Sequence, residues 1–250
     1  MLTLIGLGLH SENDLSIRAI EEAKKSDKAY IELYTSKWYG NLKNLEKLIG
    51  KEIFELKRKD LEENSNKIIE EAKTKPLVIF VQGDPLVQTT HSSLLLEAKK
   101  HGIETKVIHN TSILSAIGET GLHVQKFGPY VTIPFPEKTK GKLPESIFEV
   151  IRENKKRKLH TLCLLDVIVE EGKYMTAKQG LQILLQGNIV NKDEKVVVFA
   201  KAGSENPLII YSSVDELIKM DVQDIPAVII LTGKLHFTEK EYLELVVRNE

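Results

Sequence analysis

The sequence predicts an α/β fold in two domains, and three observations carry that expectation. Short β-rich runs alternate with helical patterns between residues 2 and 108, the signature of a parallel sheet with helices on both faces. The run Leu77-Val78-Ile79-Phe80-Val81 is apolar without interruption, as a parallel strand buried on both sides requires. Beyond residue 110 the pattern changes grain, and a chain of 250 residues is long enough for two cores. Residues 1–112 are expected as an N-terminal α/β domain with a parallel sheet. Residues 113–250 are expected as a C-terminal α+β domain with some antiparallel pairing.

The elements follow in order. Leu2 to Leu7 reads as a strand. Leu15, Ala19, Ile20 and Ala23 share one face of a helix over Asp14 to Lys25. Ala29 to Tyr34 is a strand, Leu42 to Ile49 a helix and Glu52 to Leu56 a strand. Asp60, with Glu63 three residues on, is expected to start the next helix through a capping box. Pro76 opens the strand Leu77 to Val81; Ser92 to Lys100 is a helix closed by Gly102, and Ile103 to Ile108 is a strand. Crossovers between these strands should be right-handed. In the second half, Val131 to Pro134 is a strand and Phe135 to Leu143 an exposed loop rich in Pro, Lys and Gly. Pro144 opens a helix to Asn154, and Leu159 to Asp166 is an apolar strand. Thr176 caps a helix through Leu185, and Lys195 to Lys201, Leu208 to Ser212 and Ala227 to Thr232 are strands.

Composition narrows the function classes. The chain is 42% hydrophobic and 28% charged with a net charge of −1, ordinary for a soluble globular protein and without the basic excess of a general nucleic-acid binder. The basic run Lys155 to Lys158 suits a helix C-terminus. No stretch of about 18 apolar residues is present, so no membrane span is expected. The N-terminus reads as a strand and not as a signal peptide. The one cysteine, Cys163, lies in an apolar run and reads as a small buried hydrophobe; a chain that can form no internal disulfide fits a reducing, cytoplasmic location. Abundant Lys and Glu with scarce Cys, Met and Trp lean toward a heat-adapted source.

Four segments could carry chemistry. Gly6-Leu7-Gly8-Leu9-His10 follows a strand, but Ser11 stands where a dinucleotide fingerprint has its third glycine. A ligand loop and a plain turn both stay open there. Gln82-Gly83-Asp84-Pro85-Leu86 follows the most buried strand, and ligands of open α/β sheets bind outside the carboxyl ends of strands. Asn110-Thr111-Ser112-Ile113-Leu114-Ser115-Ala116 leads from a strand into a helix, with hydroxyls that can cap it or meet a ligand. Gly233-Lys234-Leu235-His236 follows the last strand; taken alone, His236 reads as a structural histidine. The histidines lack metal-ligand spacing, and neither a P-loop nor a G-x-S-x-G elbow is present.

Taken together these segments resemble the tetrapyrrole methylase-like family, the class III S-adenosylmethionine methyltransferases. Further matches are Gly121-Leu122 with Lys126-Phe127-Gly128, Thr161 to Asp166, and Ala202-Gly203-Ser204. The resemblance spans nearly the whole chain in motif order. His109-Asn110-Thr111-Ser112-Ile113 and Gly233-Lys234-Leu235-His236 point to the branch that serves diphthamide biosynthesis. The resemblance implies two α/β domains with the cofactor, S-adenosylmethionine (product S-adenosylhomocysteine), in the cleft between them. It implies methylation of the amino group of a modified histidine on translation elongation factor 2, and a homodimer with neither nucleic-acid nor membrane partner. Leu9, Asp84, Val87, Ser112, Ile113, Leu165, Leu208 and His236 should line the cofactor site, with no catalytic base and no metal. Asp84 is expected to hydrogen-bond the cofactor or to favour its cationic end. Phe135 to Leu143, with Lys138, Lys140 and Lys142, is a candidate for docking the protein substrate. Many tetrapyrrole methylases carry proline in the first loop, as G-x-G-P-G; its absence here counts against the alternative of a tetrapyrrole or corrinoid substrate. A non-enzymatic nucleotide sensor is the remaining alternative.

Overall fold

Alternating apolar strands and one-faced helices give the first half of the chain its layers. The structure, a computed structural model, describes residues 1–246 and divides into two compact units, Met1–Leu114 and Ser115–Glu250. The first unit runs β1 (Leu2–Gly6), α1 (Ile17–Lys25), β2 (Lys28–Glu32), α2 (Leu42–Ile49), β3 (Ile53–Leu56), α3 (Arg58–Glu62), α4 (Asn66–Thr74), β4 (Leu77–Val81), α5 (His91–Lys100) and β5 (Thr105–Ile108). Its sheet has the order β3-β2-β4-β1-β5, and every pairing is parallel. All five residues of β4 are buried, each large apolar side chain contributing roughly 1.5–3 kcal/mol. On one face Ile5, Ala29, Ile31, Val78 and Phe80 pack under Ala19 and Ala23 of α1 and Leu45 and Ile49 of α2. On the other, Leu2, Leu4, Tyr30, Ile79 and Val81 pack under Leu61, Ile68, Ile69, Leu94 and Ala98 of the remaining helices. Alternate residues of one strand serve opposite layers, as the pleat dictates.

Two helix starts differ from the sequence expectation. Residues Glu12–Asp14 form a separate 3-10 turn capped by Ser11, and α1 begins three residues later with Ser16 as its N-cap. The short polar side chains at Ser11 and Ser16 each take a cap, so one expected helix becomes two pieces. Asp60 is not an N-cap: α3 starts at Arg58, and Asp60 reaches back from its third position to the N–H of Lys57. Gly102 closes α5 as expected, with φ +70° and the Ile103 N–H bonded to the Ala98 carbonyl.

A short helix α6 (Ile113–Ala116) is followed in the second unit by β6 (Val131–Ile133), α7 (Glu145–Lys156), β7 (Thr161–Leu165), the hairpin strands β8 (Val167–Ile168) and β9 (Lys173–Tyr174), α8 (Ala177–Gln186), β10 (Lys195–Ala200), β11 (Leu208–Ser213), α9 (Val214–Met220), β12 (Ala227–Leu231) and α10 (Phe237–Val246). The main sheet has the order β11-β10-β12-β7-β6. Only β6 and β7 are parallel; the other pairings are antiparallel. One face carries a core that includes Ile151, Leu181, Leu184, Val196, Val198, Leu217 and Ile229. Cys163 is fully buried, and burial pushes its thiol up to about 12, so it packs as a hydrophobe.

The segment Phe135 to Leu143 is only partly the loop expected. Phe135 is buried and Pro136–Thr139 form a 3-10 turn. Lys138 pairs with Asp166, the residue after β7, at 2.9 Å. The Asp166 carboxylate also accepts the Phe135 N–H at 2.9 Å, so the turn is anchored at both ends.

Candidate functional site

The chain order of the first sheet creates a crevice. From β1 the chain moves toward β2 on one side of the sheet, and from β4 it moves toward β5 on the other. The neighbours β1 and β4 thus lead off in opposite directions, and a switch point lies between their carboxyl ends. Both glycine segments stand there. Gly8 and Gly83 form an antiparallel bridge, with Gly83 N–H donating to the Gly8 carbonyl at 2.9 Å and Gly8 N–H to the Gly83 carbonyl at 3.2 Å. Glycine is required on the first loop's side of this contact. A Cβ on Gly6 would sit 2.6 Å from the Gly83 oxygen and 2.7 Å from the Asn110 Cβ. Gly8 has φ +79°, and its Cβ would meet the Asp14 Cβ at 2.5 Å.

Two side chains fasten three loops together. The Asn110 amide donates to the Gly6 and Asp14 carbonyls, both at 3.0 Å. Asp84, buried, accepts the Leu86 N–H on one oxygen at 3.0 Å. Its other oxygen accepts from His109 Nδ1 at 2.8 Å and from the Asn110 N–H at 3.3 Å. Asp14 caps the first loop by accepting the N–H groups of His10 at 2.6 Å and Ser11 at 3.1 Å. The 3-10 turn Glu12–Asp14 separates the first loop from α1, which starts at Ile17, whereas in a pyrophosphate site the glycine loop runs straight into a helix N-terminus. The rim instead offers glycine backbone and a buried carboxylate.

Of the residues predicted to hold cofactor, Leu9, Asp84, Val87, Ser112 and Ile113 all stand on these loops or at the start of α6. The sequence reading missed Asp14, taken there as a helix start, and the fastening role of the Asn110 side chain. An expected outcome follows for Asp84→Asn. An amide nitrogen in place of the second oxygen would face two donors, and a buried unmatched pair costs ~1–3 kcal/mol. Cofactor binding should weaken about tenfold or more, read by calorimetry with S-adenosylhomocysteine alongside turnover. Unchanged affinity and turnover would remove this role.

Beside the rim, Glu32 ends β2 fully buried. Burial raises its carboxyl to about 7, against the opposing hydrogen bonds from the Thr35 hydroxyl and the N–H groups of Tyr34 and Gln82.

In the second unit, Leu165 ends β7 and Leu208 begins β11. The registers Ala200↔Leu208, Ala200↔Ala227 and Val228↔Leu164 place them at one end of the sheet, three strand spacings or roughly 14 Å apart. His236 follows the opposite end of β12, where Leu231 pairs with Thr161. There its backbone N–H joins a network around the buried Glu239, while His236 itself is exposed. Gly233 N–H donates to His160 Nδ1 at 2.9 Å, so the proton of neutral His160 is on Nε2, which donates to Glu239 at 3.1 Å. Glu239 also accepts the N–H groups of His236 at 2.6 Å and His123 at 2.8 Å and pairs with the Lys126 ammonium. Burial alone would raise its carboxyl, but Lys126 and these donors hold it down to about 2. Burial keeps His160 below the usual histidine value. The Thr238 hydroxyl bridges His236 Nδ1 at 2.8 Å and His123 Nε2 at 3.2 Å. Among the described residues, no group of three or more His, Cys, Asp or Glu side chains is placed to hold a metal ion.

Comparison with known proteins gives a consistent result. A family model described as tetrapyrrole (corrin/porphyrin) methylases matches residues 1–218. The chain is 45% identical to the diphthine synthase of Methanocaldococcus jannaschii over the full length of both. It is 43% identical to that of Methanococcus aeolicus, over all of this chain and 99% of the other. A crystallised diphthine synthase superposes with a TM-score of 0.90 at 36% identity, covering 99% of this chain and 96% of that one.

Proposed function

The chain belongs to the tetrapyrrole (corrin/porphyrin) methylase family, and from that membership we propose that it is an S-adenosylmethionine-dependent methyltransferase with the activity of a diphthine synthase. It methylates the amino group of the modified histidine on translation elongation factor 2 in the biosynthesis of diphthamide. The observation that carries this reading is identity of 45% along the whole of both chains to a protein so named. The glycine loops meeting at the switch point of the first sheet support it.

S-adenosylmethionine supplies a methyl group on a positively charged sulfonium. Gly6, Gly8 and Gly83 keep the rim free of side chains, so that backbone groups can approach a ligand. Asp84 places a buried carboxyl group at that rim while shaping the second and third loops. An α-amino group has a pKa near 7.7–8.0, so a useful share of the acceptor is neutral at physiological pH and we assign no general base. Holding two reactants in line contributes on the order of 7–11 kcal/mol to lowering such a barrier. We assign Leu9, Asp84, Val87, Ser112 and Ile113 of the first unit to the cofactor. Leu165, Leu208 and His236 of the second carry the same assignment by resemblance.

We further propose a homodimer working in the cytoplasm, where translation factors act, with elongation factor 2 as protein substrate and neither nucleic acid nor membrane as a direct partner. No described helix is long and apolar enough to cross a membrane. The test is incubation with labelled S-adenosylmethionine and elongation factor 2 that carries the unmethylated precursor. Label should enter the factor. Label entering only a tetrapyrrole would replace this reading with the corrinoid alternative, and no transfer at all would favour a sensor.

A further inference from the structure

We propose that the segment leaving β2, residues 33–40, seats the methyl acceptor's side chain: an α-amino-acid group carried on an imidazole ring. The inference rests on the activity proposed above. The segment is fastened to both glycine loops. Tyr39 N–H donates to the His10 carbonyl at 2.9 Å, and Gln82 Nε2 donates to the Lys37 carbonyl at 2.6 Å. These bonds hold residues 37 to 39 beside the switch point, where the first loop ends at His10 and the second begins at Gln82.

The side chains there have a definite chemistry. The His10 and Tyr39 rings are stacked, with centroids 5.1 Å apart and an interplanar angle of 20°. The Lys37 ammonium lies 5.6 Å from the centre of the Tyr39 ring. Tyr39 keeps 42% of its surface exposed. A flat imidazole suits a ring face, and a carboxylate suits the ammonium. Two buried polar atoms, one in this segment and one on the residue bonded to it, have no hydrogen-bond partner: the donor Trp38 Nε1 and the acceptor Gln82 Oε1. Buried polar atoms are seldom left so. An α-amino-acid group carries the complementary amine donor and carboxylate acceptor.

The cofactor's methionine end carries the same group. The stacked rings decide between the two: the acceptor's amino-acid group hangs from an imidazole, the cofactor's from a sulfonium. Tyr39 and Lys37 are therefore positioning residues for the acceptor.

Tyr39→Ala, Tyr39→Phe and Lys37→Met test the assignment, each measured for S-adenosylhomocysteine affinity by calorimetry and for steady-state methyl transfer to the unmethylated factor. The KM for the factor should rise about tenfold in Tyr39→Ala and Lys37→Met. Cofactor affinity should stay within about twofold, and Tyr39→Phe should keep the wild-type KM because it keeps the ring. An unchanged KM in both variants overturns the proposal while the proposed activity stands. Loss of cofactor affinity with unchanged KM overturns it in favour of the cofactor's methionine. A wild-type chain that transfers no methyl to the factor overturns the activity and this proposal together.

Discussion

Glu239→Gln should lower the unfolding free energy by about 3–5 kcal/mol, the usual cost of breaking a buried, hydrogen-bonded ion pair. For a chain of this size that is a fall in Tm on the order of 10 °C, measured by thermal unfolding. The reason lies in how many groups the carboxylate serves. Glu239 is fully buried and answers Lys126, His160 and the N–H groups of His123 and His236. An amide returns two donors toward a site already filled with donors, and the Lys126 ammonium loses its counter-charge. The loss should also depend on pH in a fixed direction. The folded carboxyl is held at about 2, below its ordinary 4.5. Its contribution is therefore complete above about pH 4.5 and disappears as the pH falls toward 2. Wild type and variant should differ most at neutral pH and converge in acid. Curves that stay parallel down to pH 2 would mean that the charge of Glu239 is not what stabilises this corner.

Gly8→Val should abolish measurable cofactor binding. The position has φ +79°, a conformation that a β-branched residue enters only at a cost, and the new side chain would run into Asp14, whose Cβ stands 2.5 Å from the site of the first added carbon. Asp14 cannot yield without releasing the His10 and Ser11 N–H groups that it caps. The Gly8–Gly83 bridge would open with it, and the rim would lose its shape. We expect affinity for S-adenosylhomocysteine to fall at least about a hundredfold, which corresponds to ~2.7 kcal/mol, while the sheet beneath, with its buried strands, keeps the unit folded. Calorimetry and circular dichroism on the same sample separate the two effects. Binding within a few-fold of wild type would show that this loop is not at the cofactor.

The parts of the fold that could be read from the sequence are those with a local cause. The run Leu77 to Val81 is buried through and through, and the one-faced pattern of Leu42 to Ile49 gives α2 at those residues. The turns at Gly83 and Gly102 announce themselves because glycine alone takes positive φ without penalty. The start of α3 was misread because Asp60 is equally at home as an N-cap or as the third residue that bonds back to it. Helix α9 went unseen because its seven residues follow β11 directly, although Ser213 and Glu216 form a capping box that marks its start. Interactions between distant positions leave no local pattern. His160 meets Glu239 across 79 positions and Lys126 meets it across 113. Nothing near His160 in the sequence distinguishes it from the other histidines. The stack of His10 on Tyr39 is of the same kind: each residue is unremarkable until the chain returns.

The Asn110 side chain holds two carbonyls that lie 104 and 96 positions before it. The rim of the first sheet therefore cannot be assembled by any short stretch of chain; it waits for β1, β4 and β5 to find one another, which is the slow kind of closure in folding. Ligand recognition is accordingly a late event in the life of a nascent molecule. Once it occurs, its free energy is linked to the whole first unit, so that saturating nucleoside should protect that unit as a block against proteolysis and hydrogen exchange.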